Sequence, residues 1–102
     1  MLSNAKPPDL SKLKDFDGGM ASLWVFTSTH THLVIRVDKV ESETSIFILV
    51  YEWYRLEAFS SWRFQVPQIR LTEENMIELS DSTARFYLLC ADLSLQETYT
   101  II

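Results

Sequence analysis

Both glycines of this 102-residue chain stand side by side, at Gly18 and Gly19, and residues 20 to 102 contain none. Phosphate-cradling loops use glycine so that main-chain N–H groups can approach a ligand closely. The dinucleotide fingerprint, the P-loop and the glycine-flanked nucleophile elbow are therefore excluded, and nucleotide chemistry by those routes goes with them. Tight two-residue hairpins favour Asn-Gly or Asp-Gly. Neither occurs, so the hairpin turns here must be longer or built on Ser, Asp and Asn.

From Ser22 onward the pattern is that of strands. Leu23 to Thr27 is aromatic and β-branched, and Ser28 to Thr31 reads as a polar turn. In His32 to Lys39, Leu33, Ile35 and Val37 fall on one face, and His32, Val34, Arg36 and Asp38 on the other. Glu41 to Thr44 is a second polar turn, followed by a long run from Ser45 to Phe59. That exceeds an ordinary strand, and a bend or bulge is expected around Tyr54 to Glu57. Further strands are expected over Trp62–Val66, Met76–Leu79 and Ala84–Leu95; Pro67 marks an edge strand or the end of one, and Thr72–Asn75, after Ile69–Leu71, is a turn or a short helix start.

The Ala84–Leu95 segment reads as a strand with Phe86, Leu88 and Cys90 facing in. A C-terminal helix around 82–95, with Phe86, Cys90 and Leu93 on one stripe, is the alternative and would make the chain α+β. Thr98 to Ile102 is β-prone and suits a last short strand. The expected fold is all-β: a small antiparallel β-sandwich or partly closed barrel of roughly five to seven strands. Residues 1–19 read as an N-terminal arm, and 20–102 as a single β domain. In the arm, Leu10, Leu13 and Phe16 at helical spacing can form a turn or two, held only if Leu13 and Phe16 dock on the body.

Nine basic against fourteen acidic residues give a net charge of −5. Binding to nucleic acid or to an anionic membrane surface needs clustered positive charge, so neither is expected. The longest apolar runs, of six residues as in Ile46 to Tyr51, are too short to span a bilayer, and no signal-like segment opens the sequence. Cys90 is the only cysteine, which excludes an intrachain disulfide and fits a reducing, cytoplasmic setting. Its apolar neighbours mark it as a buried hydrophobe rather than a nucleophile.

Few constellations carry chemistry. His30 and His32 share a strand face, but Arg36 stands between them and Asp38 and would repel a cation. The same histidines with Asp38 are the one candidate centre for triad catalysis, without a strained elbow to support it. Glu52 and Glu57 lie an odd number apart, on opposite faces of a regular strand unless the expected bulge realigns them, and partnering with Arg55 and Arg63 explains them more simply than a glycosidase pair. No metal, cofactor or catalytic residue is assigned.

Aromatic density is the remaining signal. Phe47, Tyr51, Trp53, Tyr54, Phe59, Trp62 and Phe64 fall within eighteen residues. On regular strand geometry Phe47, Leu49, Tyr51 and Trp53 share one face, and the strand is apolar on both sides, as a central strand would be. A core of this size struggles to bury three Trp and four Tyr, so some rings are expected at the surface. Trp and Tyr with Arg are interface-anchoring types. Trp53, Tyr54, Arg55, Trp62 and Arg63 are therefore the expected partner-binding residues of a small acidic, non-enzymatic binding protein. Its partner would be a second copy, giving a homodimer, or a basic protein. A barrel or sandwich with an aromatic-lined pocket for a sugar or small apolar ligand is the alternative.

Overall fold

A computed structural model of the chain describes residues 10–26, 32–40 and 42–97. Seven strands form one antiparallel sheet: β1 Met20–Phe26, β2 His32–Asp38, β3 Ser45–Glu57, β4 Ser61–Arg63, β5 Gln68–Leu71, β6 Ile77–Asp81 and β7 Phe86–Gln96. Their order is β4-β1-β2-β3-β7-β6-β5, and the sheet curls into a half-barrel. The all-β expectation holds in its partly closed barrel form. A sandwich does not form, because the curl lets one sheet supply both walls of the core. The expected polar turn at Ser28–Thr31 and the last strand at Thr98–Ile102 lie outside the described residues.

The concave side is filled. Leu33, Ile35 and Val37 from β2 meet Ile46, Ile48 and Val50 from β3, with Leu79, Leu88 and Cys90 across from them. A 3-10 helix, Ser11–Phe16, sends Leu13 and Phe16 into the same core, the docking that such a short helix requires. Each fully buried Leu or Phe contributes about 1.5–3 kcal/mol. The Lys12–Glu97 ion pair at 2.8 Å is exposed at both ends and adds little to that anchor.

The helical alternative for 82–95 is corrected by β7, which pairs with β3 on one side and β6 on the other. The ambiguity has a structural origin. Phe86, Leu88 and Cys90 alternate inward, but the next inward residue is Leu93, so the strand changes phase once. β3 changes phase at the same level: Val50 and Trp53 are both buried while Tyr51 and Glu52 between them are exposed. Val50 is in register with Leu93, and Trp53 with Cys90. Glu52 takes a left-handed conformation, φ 52°, where the two strands turn together. A second irregularity follows immediately, because the register shifts between Trp53 and Arg55 and leaves Tyr54 as the extra residue. The bend therefore begins before the expected window, and Trp53 lies on the opposite side of the sheet from Phe47, Leu49 and Tyr51.

The two edge strands are consecutive in sequence. Only Phe64 to Pro67 separates β4 from β5, so this link straps the open side of the half-barrel with a reach of at most about 18 Å. The link is held by main-chain bonds: Gly18 N–H donates to the Phe64 carbonyl, and Phe64 N–H to the Gly19 carbonyl, both at 2.8 Å. Val66 N–H donates to Asp17 Oδ1 at 3.0 Å. Trp62, stacked on Phe86 at 5.0 Å between ring centroids, joins edge strand β4 to β7 across the concave side.

The glycine pair serves this closure. A Cβ on Gly19 would lie 2.0 Å from the Asp38 carbonyl oxygen, a backbone atom that cannot swing away. Gly18 has open space around its missing Cβ but a φ of 89°. Gly19→Ala is expected to lose about 1–3 kcal/mol or more through overpacking. Gly18→Ala should lose only the left-handed penalty of about 1–2 kcal/mol. Urea unfolding of both variants checks the ranking.

Candidate functional site

The five expected partner-binding residues separate in the folded chain. Trp53 and Trp62 are only 6% and 8% exposed and belong to the core, so neither is a solvent-facing anchor. The coupled phase change turns Trp53 inward, and the stack on Phe86 takes Trp62. Tyr54, Arg55 and Arg63 are exposed. Tyr54 protrudes at the bulge. Arg55 pairs with Glu57 at 2.8 Å and lies over the Tyr87 ring at 5.1 Å.

Arg55 thereby joins a ladder on the convex side. Arg70 Nε donates to Glu78 Oε1 at 2.9 Å, and the Tyr87 hydroxyl donates to Glu78 Oε2 at 2.7 Å. Hydrogen bonding from Arg70, then from Tyr87, holds the Glu78 carboxyl below its ordinary range. The bond to Glu78, with some burial, pushes the Tyr87 hydroxyl up. A carboxyl depressed in the folded state stabilises above its unfolded pKa, and that contribution disappears as pH falls through the folded value. Acid unfolding followed at several pH values should show this loss below about pH 4.5, and Glu78→Gln should flatten it.

The other half of the convex side is aromatic. Val34, Arg36, Phe47, Leu49 and Tyr51 point away from the main core, since their neighbours Leu33, Ile35, Ile46, Ile48 and Val50 fill it. Trp24 joins them because the β1–β2 register shifts between Leu23 and Val25 and leaves Trp24 as the extra residue. Its ring lies 5.1 Å from Phe47, and the Arg36 guanidinium sits 5.6 Å from the ring centre. Arg36 is held in turn by Asp38 at 2.8 Å. Burial disfavours the Asp38 charge, but hydrogen bonds from Ser45 and Arg36 outweigh it and keep the carboxyl below its usual range.

The result is a stiff cluster with Trp24 42% and Tyr51 39% exposed above buried Val34 and Phe47. Asp92, in register with Tyr51, and Glu52 are exposed beside it and make no ion pair among the described residues. Sequence reasoning overlooked Trp24 because a bulge, not alternation, decides its face. The grouping of Phe47, Leu49 and Tyr51 was legible and needed only Trp53 removed.

Chemistry has less support. His32 is exposed on β2, Asp38 is engaged by Arg36 and Ser45, and His30 lies outside the described residues. Among the described residues no group of three His, Cys, Asp or Glu is placed to hold a metal ion. Burial pushes the Cys90 thiol up to about 12, with the Asp92 charge adding to it, which disfavours the thiolate a nucleophile needs. The concave side is packed; an apolar hollow of about 270 Å³ between Phe59 and Ala84 falls just below ligand-pocket sizes, and one of about 520 Å³ beside Met20 and Val40 lies open to solvent. Comparison with known families, curated proteins and solved structures finds no match to this chain.

Proposed function

We propose that this chain is a non-enzymatic binding module whose convex aromatic face contacts another protein. The observation that carries the reading is Trp24, half-exposed and braced by Arg36 and Phe47 beside an exposed Tyr51. Large rigid rings held in place lose little conformational freedom on binding, and Trp, Tyr and Arg are the types enriched at interface hot spots. Asp92 and Glu52 at the border, with a net charge of −5, favour a basic partner over a second acidic copy.

The three tryptophans make the test direct, because Trp53 and Trp62 are buried. In dilute solution acrylamide should quench a component of the emission that Trp24→Phe removes while remaining folded. If the wild type shows no such component, the ring is covered within the chain and the reading falls. Light scattering over a concentration range then identifies the class of partner. A mass that rises with concentration, and does not in Tyr51→Ser, makes a second copy the partner. A constant monomer mass leaves the face for a heterologous basic protein.

A further inference from the structure

The open seam of the half-barrel presents a second surface with a different chemistry. Leu23 N–H donates to the Ser60 carbonyl at 3.0 Å, Phe64 N–H donates to the Gly19 carbonyl at 2.8 Å, and Trp62 is in register with Ala21. Main-chain groups of Ser60, Trp62 and Phe64 therefore face β1. By strand alternation those of Ser61, Arg63 and Gln65 point the other way, where the described residues supply no further strand. The 270 Å³ hollow runs along this same edge, with Phe59, Ser61, Arg63 and Gln65 on one side and Asp81 and Ala84 on the other.

Two charged side chains line the hollow, Arg63 on the β4 side and Asp81 on the other. Asp81 Oδ1 accepts the Thr83 N–H at 3.0 Å, while its Oδ2 is buried and has no hydrogen-bond donor among the described residues. A carboxylate oxygen left in this way is best matched by a charged donor. The β5 edge lacks such a combination: it is opened by Pro67, which has no N–H, and its Arg70 is engaged by Glu78.

We propose that the free edge of β4 takes up an extended, basic segment of a partner protein as an added strand. An apolar side chain of that segment would enter the hollow against Phe59, and a Lys or Arg would be directed at Asp81. Main-chain bonds to Ser61, Arg63 and Gln65 supply the affinity of such a mode, and the hollow and the carboxylate supply its selectivity. This site is separate from the convex face and stands without it.

The probe is the acetylated, amidated peptide Thr-Lys-Val-Lys-Val-Thr, with a counterpart in which Glu replaces Lys. Amide hydrogen exchange of the intact protein is followed by NMR. In the peptide-free protein the Ser61, Arg63 and Gln65 amides should exchange fast, and saturating Lys peptide should slow them about tenfold or more. The Glu peptide should not. Arg63→Pro should keep the fold, since the N–H it removes is not used by β1, and should abolish binding. Trp24→Ser should leave peptide binding unchanged, which separates failure here from failure of the convex-face reading. Absence of saturable binding, binding without slowing at these three amides, or equal slowing by the Glu peptide overturns the proposal. Slow exchange in the peptide-free protein that disappears on dilution also overturns it, placing a second copy on the edge.

Discussion

The shared bend of β3 and β7 is the constraint on which the half-barrel depends. At one level, set by Glu52 with φ 52°, both strands shift the phase of their side chains, so that Val50 and Trp53 on one and Cys90 and Leu93 on the other face inward. A phase change in one strand alone would leave its partner's apolar residues in water. Made together, it keeps the pairing and turns the sheet. A flatter sheet would leave β4 and β5 too far apart for the Phe64–Pro67 link, and Trp62 could not reach Phe86.

The same bend divides the convex side into two chemistries. Toward β1 and β2 the outward rows are apolar and aromatic, with Arg36 serving as a brace between Asp38 and Trp24. Toward β5 and β6 they are ionic, with Arg70, Glu78, Tyr87 and Arg55 laddered across neighbouring strands. Exposed ion pairs contribute little individually to stability, but they cover the sheet and keep that half soluble. In the aromatic half Trp24 and Tyr51 stay 42% and 39% exposed despite the Arg36 brace, and this exposure directs the functional reading to them.

Much of the architecture was legible in the chain. The alternation of His32 to Lys39 gave β2 its correct faces, and the two-sided apolar run of β3 did mark the strand at the centre of the seven. The candidate site was less legible. Of Trp53, Tyr54, Arg55, Trp62 and Arg63, the two tryptophans are core residues, and Arg55 is engaged in the ladder. Clustering in sequence could not separate them, because side-chain facing in a bulged strand depends on which residue is left out of the register. Trp24 was overlooked for the same reason.

The sequence by itself determined that the fold is built from antiparallel strands. Period-two alternation and β-branched content are local properties, and the absence of glycine after residue 19 excludes the common phosphate-binding loops. It also determined that Leu13 and Phe16 must dock if the short helix is to exist. Only the tertiary structure decided that the strands form one curled sheet and which rings reach solvent. Both outcomes depend on pairing between residues far apart in the chain, such as Trp53 with Cys90 and Gly19 against Asp38. Local pattern carries no information about which distant strand will sit opposite a bulge, and the bulge decides the face.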